Sequence, residues 1–104
     1  EKEVKKKGLI APMVGHVGDG NFHSIILYDP NDQKKQKLIR EYSDKLIEKA
    51  LELEGTITGE HGIGLQKKGY LLKEHPDNLP VMKSIKRSLD ANNIMNPGKV
   101  FDLN

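Results

Sequence analysis

Apolar and polar positions follow two different rhythms along this chain, and the change of rhythm lays out its elements. Between residues 33 and 54, Leu38, Ile39, Tyr42, Leu46, Ala50 and Leu53 recur at intervals of three and four, with Ile47 and Leu51 widening the stripe. That period predicts an amphipathic helix whose stripe packs as core. Lys37, Arg40, Glu41, Asp44, Lys45, Glu48 and Glu52 fill its other faces. Glu41 and Lys45 stand four apart in the favourable order, worth about 0.2–0.5 kcal/mol. Asp29-Pro30-Asn31-Asp32 opens this helix and Gly55 closes it. Upstream, Leu9–Val14 is a short apolar segment broken by Pro12, which reads as a strand near a sheet edge. Phe22–Tyr28 (F-H-S-I-I-L-Y) is a β-branched and aromatic run that reads as its partner. Residues 1–7 read as the end of a charged helix that Gly8 stops.

Downstream of Gly55, Thr56-Ile57-Thr58 carries a β-branched strand signal. Leu65 to Lys73 reads as a helix bounded by Pro76. Val81, Met82, Ile85 and Leu89 mark a final amphipathic helix ending near Asn92-Asn93, and the tail Ile94–Phe101 holds an Asn-Pro-Gly turn. No repeat, low-complexity segment or internal boundary is visible. The fold class is α+β: a small antiparallel sheet covered by helices.

The chain has 104 residues, room for one small domain with a thin core, since 36% of residues are hydrophobic and 31% charged. A net charge of +2 argues against nucleic acid as a main partner, and the Lys2–Lys7 cluster reads as a solvated end. The absence of cysteine excludes disulfides and thiolate metal sites. No apolar run approaches the ~18 residues of a transmembrane helix. The start, Glu1-Lys2-Glu3-Val4, is neither a signal peptide nor an initiator methionine, which suits a chain that begins partway through a longer protein.

Two stretches concentrate the chemistry: Gly15–His23 (G-H-V-G-D-G-N-F-H) and Gly59–Gly64 (G-E-H-G-I-G). They hold three of the four histidines and six of the ten glycines, and so are the place to look for function. A hairpin over the first stretch brings His16 and His23 together, because Gly18, Asp19, Gly20 and Asn21 are turn formers. Two neutral imidazoles suit zinc, manganese, iron or cobalt. Glu60 is the best third ligand, leaving positions open as in a catalytic site. In an extended segment adjacent side chains alternate, so His61 faces away from Glu60 and is placed to take a substrate proton. The plainer alternative is that these residues only shape turns. Sharper motifs fail: Lys67 stands where a dinucleotide fingerprint needs its third glycine, Leu65 where a phosphate loop needs lysine, and Lys34 where a calcium loop needs glycine. Lys67 and Lys68 read as solvated surface, with a carboxylate substrate as the less favoured partner.

In their order and spacing, G-H-V-G-D-G-N-F-H, G-T-I-T-G-E-H-G-I-G and M-N-P-G-K-V-F together resemble the C-terminal domain of the FAD-linked 2-hydroxyacid dehydrogenases, the D-lactate dehydrogenase and glycolate oxidase subunit group of the vanillyl-alcohol-oxidase-type flavoproteins. The likeness runs from Gly8 to Phe101. It implies that residues 1–104 are the C-terminal end of a flavoenzyme's cap or substrate domain, with the FAD-binding domain absent and the isolated chain inactive. It implies that His16, His23 and Glu60 hold a divalent metal (zinc, manganese or iron), that His61 is the active-site base, and that Asn21 and Asn96 lie near the flavin. The implied partners are a small 2-hydroxy acid, D-lactate above all, and an electron acceptor such as cytochrome c or a quinone. The implied compartment is the cytoplasm or the mitochondrion. A stand-alone metal-binding module and a purely structural cap are the rival readings.

Overall fold

The computed structural model describes residues 2–104, which form two compact units divided between Leu53 and Glu54. Nothing in the sequence pattern marks that division. The elements in order are α1 (Lys2–Lys6), β1 (Met13–Val14), a 3-10 turn (Val17–Asp19), β2 (His23–Ser24), α2 (Gln33–Glu52), α3 (Lys68–Glu74) and α4 (Leu79–Leu89). Four helices with one small antiparallel sheet make the α+β class expected from the sequence. Among the described residues, no helix is long and apolar enough to cross a membrane.

In the first unit the hairpin is present but its ladder is shorter than the two apolar runs. Met13 pairs with Ser24 and Val14 with His23. The same register continues outward through Ile25 N–H to Pro12 O (2.9 Å) and the Ile10–Leu27 bridge. Pro12 has no N–H to give the ladder, so regular pairing stops beside it. Gly15 makes the hairpin's inner end possible: a Cβ there would lie 2.5 Å from both Asn21 O and Phe22 Cα. Only glycine tolerates so close a backbone approach.

α2 begins where expected, with the Asp32 side chain accepting the Lys35 amide at 3.0 Å, a cap worth about 0.5–2 kcal/mol. It ends at Glu52, three residues before the Gly55 expected to close it, and Glu54 takes up a left-handed backbone (φ 59°). Leu53, read as part of the stripe, is 70% exposed as the C-cap. Tyr42 is the buried centre of that stripe, and its hydroxyl meets Ser24 Oγ of β2 at 3.0 Å. Lys7 pairs with Glu41 at 2.9 Å and Lys45 with Glu3 at 3.2 Å, tying α2 to α1 and the residue that follows it. Hydrogen bonding to Lys45 and Lys7 holds the Glu3 and Glu41 carboxyls below their ordinary value.

In the second unit Ile57, Leu71 and Leu79 are buried. The expected strand at Thr56-Ile57-Thr58 is not formed; this stretch is irregular. The reason is a competing partner: the Ile57 N–H bonds the Glu74 carboxylate at 3.2 Å instead of a neighbouring strand. α4 starts with a proline in its first turn, as proline's fixed φ favours. Its apolar positions Val81, Ile85 and Leu89 remain more than half exposed. It ends at Leu89, at the last position of the stripe and short of the expected Asn92-Asn93, because Asp90 turns back on the chain. The buried Asp90 carboxylate accepts the Ile94 and Met95 amides, each at 2.9 Å, together with the Lys86 ammonium. The Lys86 bond is the main cause that keeps this carboxyl below the ordinary value of 3.8, with the two amides adding to it against the cost of burial.

Two outcomes follow from this packing. Gly15→Ala forces backbone atoms apart and is expected to destabilise the fold by about 1–3 kcal/mol, read by urea denaturation; an unchanged midpoint would contradict the close approach. Glu3, Glu41 and Asp90 all have depressed folded values, so their contributions are complete above the unfolded values of 4.5, 4.5 and 3.8 and are lost as pH falls through the folded ones. Thermal unfolding should therefore show an acid limb below about pH 4. Asp90→Asn should lower stability at neutral pH and flatten that limb, and an acid profile identical to the parent's would refute the assignment.

Candidate functional site

The first motif occupies the reversal between β1 and β2. His16 caps the 3-10 turn, and its carbonyl accepts two amides, from Asp19 at 2.9 Å and Asn21 at 3.2 Å. Gly20 closes the turn in the left-handed region (φ 71°), with its amide on Val17 O at 3.1 Å. His23 is half-buried on β2 and pairs with Val14, whereas His16 is exposed and lies beyond the last strand pair, across from Asn21. The turn places both residues near the same end of the hairpin, His23 opposite Val14 and His16 opposite Asn21. They are not cross-strand neighbours. Asn21 is half-buried at the foot of the turn.

The second motif lies on a bend in the other unit. Glu60 and His61 do not alternate across an extended strand: the stretch is bent, and His61 Nε2 sits 3.7 Å from Glu60 Oε1. The two side chains approach each other, so alternation gives no reason to separate their roles. Both are exposed, at 52% for the Glu60 side chain and 69% for that of His61. A carboxylate beside an imidazole on a solvent-facing bend can bind a cation, accept a proton or orient a hydroxyl.

What the sequence did not announce is how this bend is held. Thr58 Oγ1 donates to Gly62 O at 3.1 Å, closing the chain across Glu60 and His61. Lys67 Nζ donates to the same Thr58 oxygen at 3.1 Å. Gly62 carries a positive φ of 77°, which lets its carbonyl turn inward to meet the hydroxyl. Gly64 O accepts the Val100 amide at 2.7 Å, fastening the end of the motif to the C-terminal tail. The only sequence signal for any of this was a lysine near the motif. Lys68, its neighbour, is committed elsewhere, to Asp102 at 2.7 Å.

Asn96 lies in the tail with φ 47°, its carbonyl accepting the Lys99 amide at 3.3 Å. Gly64 and Asn96 both line a cleft of about 490 Å³ whose far wall is apolar, with Met82, Ile85 and Leu89 of α4. Asn96 and the end of the Glu60–His61 bend therefore border one space. The fourth histidine, His75, is separate: its Nε2 lies 3.6 Å from Glu74 Oε1 at the end of α3.

A model of the family described as FAD linked oxidases, C-terminal domain, matches residues 1–100 of the chain. The probable mitochondrial D-lactate dehydrogenase of Danio rerio is 49% identical over 96 residues, covering 91% of this chain and 19% of that protein. The mitochondrial D-lactate dehydrogenase (cytochrome) of Kluyveromyces lactis is 41% identical over 104 residues, with 99% and 18% covered. Glycolate oxidase subunit GlcD of Bacillus subtilis is 42% identical over 88 residues, with 84% and 19% covered. The chain spans about a fifth of the length of these relatives.

Proposed function

The chain belongs to the family of FAD-linked oxidase C-terminal domains, and from that membership we propose that it serves as the C-terminal part of an FAD-dependent dehydrogenase. The proposed reaction oxidises a D-2-hydroxy acid, D-lactate first among them, to the 2-oxo acid. The observation that carries this reading is that relatives named for D-lactate and for glycolate match the same stretch of chain. Both names denote 2-hydroxy acids, which supports an α-hydroxy carboxylate as the substrate class. Relatives that are enzymes by name favour this over a bare metal-binding module or an inert cap. The cytochrome and mitochondrial names among them support a cytochrome as electron acceptor and the mitochondrion as compartment.

The donor chemistry fits a divalent cation: two imidazoles and a carboxylate form a set that suits zinc, manganese or iron while leaving positions open. His16, His23 and Glu60 are the proposed ligands. When bound, such a cation polarises the hydroxyl and carboxylate oxygens of the substrate. His61 would take the hydroxyl proton on a ring nitrogen, and a bound flavin would supply the acceptor for the hydride of the substrate carbon. Proton and hydride together account for the two electrons and two hydrogens lost by the acid. The apolar cleft with Asn96 at its border suits the edge of a flavin ring; Asn21 is proposed to lie near the flavin as well.

In the flavin-loaded protein that carries this chain, His61→Ala is expected to keep its metal and lose turnover by ~10²–10⁴-fold. Glu60→Ala should lower metal content instead, read by elemental analysis. The reverse pattern would show ligand and base to be exchanged, and full turnover in both variants would remove the bend from the chemistry. The isolated chain should be colourless and inert towards D-lactate with a dye acceptor; stoichiometric flavin surviving gel filtration would overturn the division of labour.

A further inference from the structure

We propose that Lys67 is a positioning residue for the Glu60–His61 bend, acting through the Thr58 hydroxyl and not by touching substrate. The proposal deepens the reading above, since it assumes that the bend carries chemistry. Its observations are independent of that reading.

The direction of each bond in the pair is forced. An ammonium only donates, so Thr58 Oγ1 must accept from Lys67; the hydroxyl's one hydrogen is then left for the Gly62 carbonyl. Donation from a cation polarises the hydroxyl and strengthens its bond to the carbonyl. The chain from Thr58 to Gly62 is thereby closed over the two exposed residues at its tip.

The stem is anchored from the same helix. Lys67 is the N-cap of α3 and Glu74 its last residue. Seven positions apart is about two helical turns, so both side chains rise from one face. They grip adjacent residues: Glu74 takes the Ile57 amide and Lys67 the Thr58 hydroxyl. Ile57 is itself buried at 7% exposure, so the stem cannot slide without exposing it. Lys67 is half-buried and has no acidic partner among the described residues, unlike Lys68 with Asp102. Its charge serves the bend and does not complete an ion pair.

The test uses the flavin-loaded protein with Thr58→Val, Thr58→Ser, Lys67→Met and the Thr58→Val/Lys67→Met pair. Valine keeps the shape of threonine and methionine the stem of lysine. Turnover with D-lactate and amide hydrogen exchange at Ile57 and Val100 are measured. Thr58→Val and Lys67→Met should each lower kcat by ~10–100-fold with KM held within about twofold, as misplacement of reacting groups does. Exchange at the Ile57 amide, held by Glu74, and at the Val100 amide, held by Gly64 O, should quicken in both. The double variant should be no worse than either single one, and Thr58→Ser should stay near the parent. A Lys67→Met variant with raised KM and unchanged kcat would overturn the proposal in favour of direct substrate contact. Additive losses, or a Thr58→Ser variant as poor as Thr58→Val, would overturn it as well. Should the parent oxidise no 2-hydroxy acid, the functional reading falls and the exchange data alone decide the brace: quickening in both variants upholds it, and unchanged exchange rejects it.

Discussion

The second unit depends on what α3 does with its two ends. At seven residues it is too short to be stable by itself, since helix nucleation is costly and isolated short helices melt in water. Its order comes from Leu71, buried between those ends, and from the polar side chains that leave them. Those same side chains hold Ile57 and Thr58, so helix and bend stabilise each other. Remove the bend and the helix loses its external partners; unwind the helix and the bend loses its stem. With only Ile57, Leu71 and Leu79 as buried apolar residues in this unit, side-chain hydrogen bonds carry an unusual share of the ordering.

The first unit solves the same scarcity differently. Leu9 and Tyr42 are its buried apolar side chains, and ion pairs at Lys7 and Lys45 join its first residues to α2. The exposed Lys45–Glu3 pair contributes little, and the Lys7–Glu41 pair is only partly buried. Their use here is geometric: they fix how α2 lies against the segment leading into the hairpin, and Ser24 with Tyr42 fixes the hairpin itself.

The elements that repeat a local rule were legible in the sequence. α2 announced itself by a period sustained over five turns and a capping aspartate, and the first motif by turn-forming residues between two apolar runs. Elements set by a distant partner were not. Thr56-Ile57-Thr58 has every strand preference, yet the amide that would have paired goes to a carboxylate in α3, and propensity carries no trace of that. The same loss of extension undid the expected alternation of Glu60 and His61. Leu53 fitted the helical stripe by spacing alone, but the chain had already turned away at Glu54. Of the candidate site, the identities of His16, His23, Glu60 and His61 and their glycine setting could be read, whereas the brace by Thr58 and Lys67 could not.

The Gly64–Val100 bond makes the second motif depend on a distant part of the chain. Val100 donates from a backbone with φ 71°, a conformation that a β-branched residue adopts only when its surroundings compel it. The chain between the two residues runs through α4 and the Asp90 turn, so those elements set where the tail meets Gly64. A change in the tail is therefore felt at the end of the Glu60–His61 bend, some 36 residues away in sequence.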